Sequence, residues 1–250
     1  MIQKVRLLFM CFVLSFSLTS FAQRKITFTA ADHLTVTADL YRVDKNSPHI
    51  ILFHGENESR GEYRDIAPKL QKLGFNCLAV DLRYGKESNY IRNETSELAR
   101  QKDFPSTMSD CEKDMVASID YISKTSHNQC IILIGSTFSA SLAMKIANQD
   151  KKIAAVAAFS PGEYFGPTIS VREWLSGFNT LLFVATTQHE YPFVTNLLEN
   201  IPQSFITRFQ PSFGNGAQGI AALHDINPTS NECWMSLMVF LKKVKDTKNE

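Results

Sequence analysis

Residues 131–142 read IILIGSTFSASL, an apolar, β-branched run that stops at Gly135 and turns abruptly into small and polar residues. Gly135-Ser136-Thr137-Phe138-Ser139 can be laid over Gly-x-Ser-x-Gly, a strand-to-helix turn that exposes a nucleophilic oxygen. Gly135 is kept, Thr137 stands where that pattern has serine, and Ser139 stands where it has the second glycine. The chemistry in view is attack by a side-chain hydroxyl on a carbonyl carbon. A hydroxyl is a weak nucleophile until a base takes its proton, so a base and a group to orient it must come from elsewhere in the chain. Threonine is also awkward here. The turn needs positive φ, where a β-branched residue is a steric outlier at a cost on the order of 1 to 3 kcal/mol.

The elements that would position Thr137 alternate between strand and helix patterns, which predicts a largely parallel sheet covered by helices on both faces. Residues 25–30 and 33–42 read as an opening antiparallel hairpin, with Leu34, Val36, Ala38 and Leu40 alternating on one side. Residues 49–54 form a short buried strand. Residues 62–73 form a helix ended by Gly74, since glycine tolerates the positive φ of a helix C-terminus. Residues 75–81 are the next strand, and 82–105 a polar surface stretch with short helical pieces. Residues 106–124 carry Met108, Cys111, Met115, Ile119 and Ile122 at helical spacing. Strand 130–135 leads into the turn at Thr137 and helix 138–147 follows it. Strands at 153–159 and 181–186 flank the segment 160–177, whose Tyr164, Phe165 and Trp174 could wall a pocket. Helix 191–200, a last strand at 204–209, a glycine-rich loop at 210–219 and an amphipathic helix at 233–244 complete the chain.

Composition is that of an ordinary globular protein, 44% apolar and 20% charged over 250 residues, enough for one α/β domain with a sizeable core. The first 22 residues have the three parts of a secretory leader. Lys4 and Arg6 give the positive start, residues 7–16 the apolar stretch, and Ser20-Phe21-Ala22 the small residues before a cut after Ala22. The apolar stretch falls short of the roughly 20 residues of a membrane span, and Met10 before Cys11 is unlike a lipid-attachment site. The expectation is therefore residues 1–22 as signal peptide and residues 23–250 as a single domain, secreted or periplasmic, with no membrane contact after cleavage. The chain has 26 basic and 25 acidic side chains, and two of the basic ones leave with the leader. A nearly neutral chain without blocks of like charge gives no basis for nucleic-acid binding. Cys77, Cys111, Cys130 and Cys233 remain; their even number permits disulfides in an exported chain, although Cys77 and Cys130 adjoin strand-like runs where an inert buried thiol is expected. The histidines show no metal-ligand spacing, so neither metal nor other cofactor is expected. Asn57-Glu58-Ser59 and Asn93-Glu94-Thr95 fit the glycosylation acceptor pattern.

Further motifs stand in a fixed order: His54-Gly55 after a strand, Arg60-Gly61-Glu62-Tyr63 opening a helix, Asp81-Leu82-Arg83-Tyr84-Gly85-Lys86-Glu87-Ser88, the turn at Thr137, then Ala158-Phe159-Ser160-Pro161-Gly162. In that order and spacing the chain resembles the α/β-hydrolase superfamily, in its dienelactone-hydrolase-like or serine-aminopeptidase-like branch, over nearly all of residues 23–250. The resemblance implies a three-layer α/β fold and a triad of nucleophile, acid and base in that chain order. Thr137 takes the nucleophile position. The backbone N–H of Phe138, with that of Gly55 or Glu56, would form the oxyanion hole. Glu190 takes the acid position, with Glu163 as second choice, and Gln218 stands where the base histidine should be. Asp81 and Arg83 read as a structural ion pair, and His54 as lining the oxyanion loop.

Glutamine neither accepts a proton near pH 7 nor returns one to a leaving group; it only hydrogen-bonds. Two readings follow. In the first, the chain is a catalytically impaired or non-catalytic relative that keeps a pocket for a small-molecule ester or peptide ligand. In the second, it is an active ester or peptide hydrolase using Thr137, with His224, six residues beyond Gln218, as base and Glu190 orienting it. The residues fix no substrate and no oligomeric state.

Overall fold

The computed structural model describes residues 23–128 and 130–249; the leader lies outside them. Ten strands and seven α-helices are described. An antiparallel hairpin, β1 (Gln23–Thr29) and β2 (Thr35–Tyr41), opens the chain. β3 (His49–Phe53), β4 (Asn76–Val80), β7 (Ile131–Ser136), β8 (Ile153–Phe159), β9 (Leu181–Ala185) and β10 (Ile206–Phe209) complete an eight-stranded sheet in the order β1-β2-β4-β3-β7-β8-β9-β10. From β4 onward every pairing in that order is parallel. β5 (Glu87–Ser88) and β6 (Ile91–Arg92) form a separate small hairpin.

The sheet is buried on both faces, as parallel sheets are, and the period of two in its strands divides the core. Ile51 and Phe53 of β3 and Leu133 of β7 face one cluster, together with Leu34, Val36, Ala38 and Leu40 as their alternation predicts; Ile50, Leu52, Ile132 and Ile134 face the other. Helices α3 (Cys111–Thr125) and α4 (Phe138–Gln149) cover the first face. α1 (Ala67–Lys72) and α7 (Ser230–Asn249) cover the second. The three-layer α/β architecture read from the sequence is the one observed.

Several local readings are corrected. The helix expected at 62–73 divides into a single 3-10 turn, Arg60–Tyr63, and α1, whose first turn takes Pro68; proline is tolerated only there, where its missing N–H has no partner to lose. Within 82–105, besides the β5–β6 hairpin, lies a true helix, α2 (Glu94–Gln101), capped by the Asn93 side chain accepting from Ser96 N–H. That cap and 1% exposure bury Asn93, so the acceptor pattern there is closed to a sugar. Residues 106–110 are a turn closed by Thr107 and Asp110 side chains. Asp81 and Arg83 are not partners: Asp81 meets Arg60, while Arg83 is held by Asp114 and Asp32. Each arginine faces more than one carboxylate, as a desolvated guanidinium requires. Cys77, Cys111 and Cys233 are buried free thiols, and Cys130 is buried as well.

Candidate functional site

The loops at the C-terminal ends of β3, β7, β8 and β9 converge with the loop after β10. At their centre Thr137 has φ 55° and ψ −117°, a conformation nearly reserved for glycine. Three contacts hold it. A Cβ on Gly135 would lie 2.6 Å from the Ala140 backbone, so only glycine lets α4 approach β7 this closely. Ser139, at the second-glycine position, accepts from Ser136 N–H at 2.9 Å and donates to the Phe53 carbonyl at 2.8 Å, tying the turn to β3. Thr137 N–H donates to the Phe159 carbonyl of β8 at 2.8 Å. The Thr137 hydroxyl donates to the Ser136 carbonyl at 2.7 Å. Its proton therefore sits on its own backbone, not on a base.

Glu190 starts α6 (Tyr191–Leu197) after β9. Its Oε2 accepts from the Ser160 hydroxyl at 2.7 Å and from Thr187 N–H at 2.9 Å, and its Oε1 accepts from Gln218 Nε2 at 2.9 Å. Ser160, itself at φ 52°, accepts in turn from Gly219 N–H at 2.8 Å. Gly219 packs against the turn: a Cβ there would stand 2.5 Å from Ser136 Oγ and 3.4 Å from Thr137 Cγ2. Thr137, Glu190 and Gln218 thus belong to one cluster, with Gln218 bonded to Glu190. Tyr164 completes it. Its hydroxyl donates to the Ser160 carbonyl at 2.8 Å. Burial, and then the Glu190 charge, push this phenol up to about 12, against a hydrogen bond from Gln218.

His224 is not hydrogen-bonded to this cluster among the described residues. It ends the 3-10 turn Gly219–Leu223. Its neighbours Asp225 and Leu223 are bonded to Lys69 and Trp234, and its ring makes no hydrogen bond to Thr137, Gln218 or Glu190 among the described residues. Glu163 accepts the N–H groups of Val171 and Arg172 and caps α5 (Val171–Trp174) instead of facing Gln218. Phe165 and Trp174 meet at a tilt, centroids 5.0 Å apart and planes at 53°, and pack against the core. A cleft of about 520 Å³ does open beside the cluster, lined by Pro161, Gly162, Pro192, Phe193 and Leu197 among others. A larger one, about 590 Å³, lies between β1 and α3 and includes none of the residues of the cluster.

On the oxyanion side, Gly55 sits against the turn, since a Cβ there would be 3.3 Å from Thr137 Oγ1. Gly55 N–H is already taken: it donates to Glu62 Oε2 at 2.9 Å. Phe138 N–H and Glu56 N–H make no hydrogen bond among the described residues. His54 Nδ1 donates to the Gly55 carbonyl at 2.8 Å while its Nε2 accepts from Leu82 N–H at 2.9 Å, which fixes a neutral tautomer. Burial lowers its pKa to about 4, against the Gly55 carbonyl bond. It is part of the scaffold.

Sequence reasoning gave Glu62, Ser136 and Ser160 no role at this site and read Tyr164 only as a pocket wall. Glu62 is buried with no cation against it, so burial raises its carboxyl to about 8, partly offset by the Gly55 N–H, with Glu58 adding and the Ser136 hydroxyl subtracting. Ser136 Oγ also accepts Ile220 N–H at 3.1 Å. The Glu62–Ser136 and Ser136–Ile220 contacts join residues 74 and 84 positions apart, and no local pattern announces them.

Among the described residues no group of three or more His, Cys, Asp or Glu could hold a metal, and no helix is long and apolar enough to cross a membrane. Comparison with curated proteins gives no match. Among solved structures, an esterase of Pyrococcus furiosus superposes with a TM-score of 0.69 at 19% identity, covering 90% of this chain and 91% of its own. A dienelactone hydrolase of Anabaena variabilis gives 0.64 at 13%, covering 88% and 95%. Est1E of Butyrivibrio proteoclasticus gives 0.65 at 13%, covering 89% and 99%. At these identities the likeness is one of fold. The family description "alpha/beta hydrolase fold", however, matches the sequence itself over residues 48–205, from β3 through the turn at Thr137 and past Glu190. A match over more than half its length, on the strand order and the turn described above, makes this chain a member of the α/β-hydrolase family.

Proposed function

We propose that this protein is an exported, non-catalytic member of its family that holds a carbonyl-containing ligand at the Thr137 turn without cleaving it. One observation carries the reading: the acid position, Glu190, is satisfied by an amide nitrogen, Gln218 Nε2 at 2.9 Å, where turnover needs a group that can take up a proton and give it back. The Thr137 hydroxyl is turned onto the Ser136 carbonyl and the residue is strained in backbone, which supports the same view. Loss of triad members lowers turnover by up to about 10⁶-fold in hydrolases of this kind of mechanism.

The test is hydrolysis of p-nitrophenyl acetate by wild type, Thr137→Ser, Gln218→His and the double variant. Wild type should stay at background and the double variant should gain at least about 10²-fold, the usual contribution of a positioned general base. Robust wild-type turnover lost in both Thr137→Ala and His224→Ala would defeat the proposal and restore a hydrolase with His224 as base.

A further inference from the structure

A histidine at position 218 would alternate between donating and accepting; the glutamine found there cannot. Its orientation is set by its neighbours. A carboxylate only accepts, so the amide nitrogen faces Glu190 Oε1. The Tyr164 hydroxyl spends its proton on the Ser160 carbonyl and does not donate to Gln218. The amide nitrogen of Gln218 is held by Glu190. Gln218 Oε1 is left without a protein donor among the described residues, on an exposed side chain whose next residue, Gly219, packs on Thr137. The cluster offers an acceptor where a catalytic member would offer an imidazole, and the N–H groups of Phe138, in the turn, and Glu56, next to Gly55, make no hydrogen bond among the described residues.

We infer that the site selects an amide over the corresponding ester, the ligand's carbonyl oxygen meeting the two backbone N–H groups and its N–H donating to Gln218 Oε1. This rests on the non-catalytic reading above and names the ligand class for it. An ester of the same shape puts its alkoxy oxygen, a second acceptor, opposite Gln218 Oε1. That leaves one partner unsatisfied and the other repelled, and a site built to hydrogen-bond a group discriminates strongly against an isostere lacking it. Without the glutamine the order should turn round, because an amide surrenders more hydration than an ester on leaving water.

The experiment is a titration of the wild-type protein with N-butylacetamide and with butyl acetate, an isosteric pair. Both dissociation constants are read from amide proton–nitrogen shifts, and released acetate is followed in the same samples. The amide is expected to bind about tenfold or more tightly than the ester, with shifts at Phe138, Glu56 and Gly219, and Gln218→Met should abolish or reverse the preference. Equal affinities, preference for the ester, or no binding of either compound would overturn the inference, and the wild-type pair decides this even if the variant does not fold. Release of acetate by wild type would instead strike the non-catalytic reading, which keeps the two failures apart.

Discussion

Thr137 concentrates the tension between turn geometry and side-chain chemistry. At φ 55° and ψ −117° a β-branched residue carries strain on the order of 1 to 3 kcal/mol, while its hydroxyl contributes only a local bond to the Ser136 carbonyl. Thr137→Gly should therefore be neutral or stabilising by up to about 1 kcal/mol, because relief of strain offsets the roughly 0.5 to 1 kcal/mol entropic cost of glycine and the lost bond. Urea denaturation measures this, and a loss greater than about 1 kcal/mol would show that no strain is stored there. The altered residue types at 137, 139 and 218 were legible in the sequence. Their consequences were legible only in part. That Ser139 replaces a glycine by hydrogen-bonding across to β3, and that Gln218 faces Glu190 rather than solvent alone, depend on partners 86 and 28 positions away. The ranking of Glu190 above Glu163 rested on its place after the strand at 181–186; the contacts that distinguish them, Gln218 on Glu190 and the Val171 and Arg172 N–H groups on Glu163, had no local signal.

Strands were the most readable elements, because a sheet covered on both faces demands continuous apolar runs and those at 49–54, 75–81, 130–135 and 153–159 can be little else. Helix limits were less readable: capping by Asn93 hid α2 in a polar stretch, and Pro68 moved the start of α1. The segment 160–177 does wall a cleft, through Pro161, Gly162, Glu163 and Arg172, while the aromatic pair that suggested it, Phe165 and Trp174, packs on itself and the core. At the junction of β7 and α4 helix and strand approach closely, and Gly135 is the residue that permits it. A methyl group there would overlap the Ala140 backbone at 2.6 Å, and backbone on both sides cannot move aside as a side chain could. Gly135→Ala is expected to cost about 3 kcal/mol, at the upper end of overpacking penalties. Equilibrium unfolding checks the number, and a cost under about 1 kcal/mol would mean that α4 is free to slide on β7.

At the scale of the whole molecule, Glu62 links the loops that build the site, since it holds Gly55 N–H and bonds the Ser136 hydroxyl, which in turn accepts Ile220 N–H. The charged and titratable groups that bear on it are Glu58, which disfavours its ionisation, and Tyr63, whose own ionisation it disfavours. Its effect on stability can be isolated by pH. Below about pH 6.5 several shifts compete. Burial lowers His49 and His54 to about 4, so their contribution rises with pH up to 6.5, while burial raises Asp81 to about 6 against Arg60, and that contribution falls over part of the same range. Between about pH 6.5 and 8 the unfolded histidines, at 6.5, pass from half-protonated to nearly neutral, while folded Glu62 still holds a proton that its unfolded form, at 4.5, has released. Glu62 therefore lowers stability as pH rises, by at most about 1.4 kcal/mol per unit, and the histidines offset part of that fall near pH 6.5. Glu62→Gln keeps an acceptor for Gly55 N–H but cannot titrate, and its stability should not fall across that window. Urea midpoints for both proteins at pH 6.5 and 8 test this, and an equal loss in wild type and variant would mean that the carboxyl beneath the turn is already ionised in the folded protein.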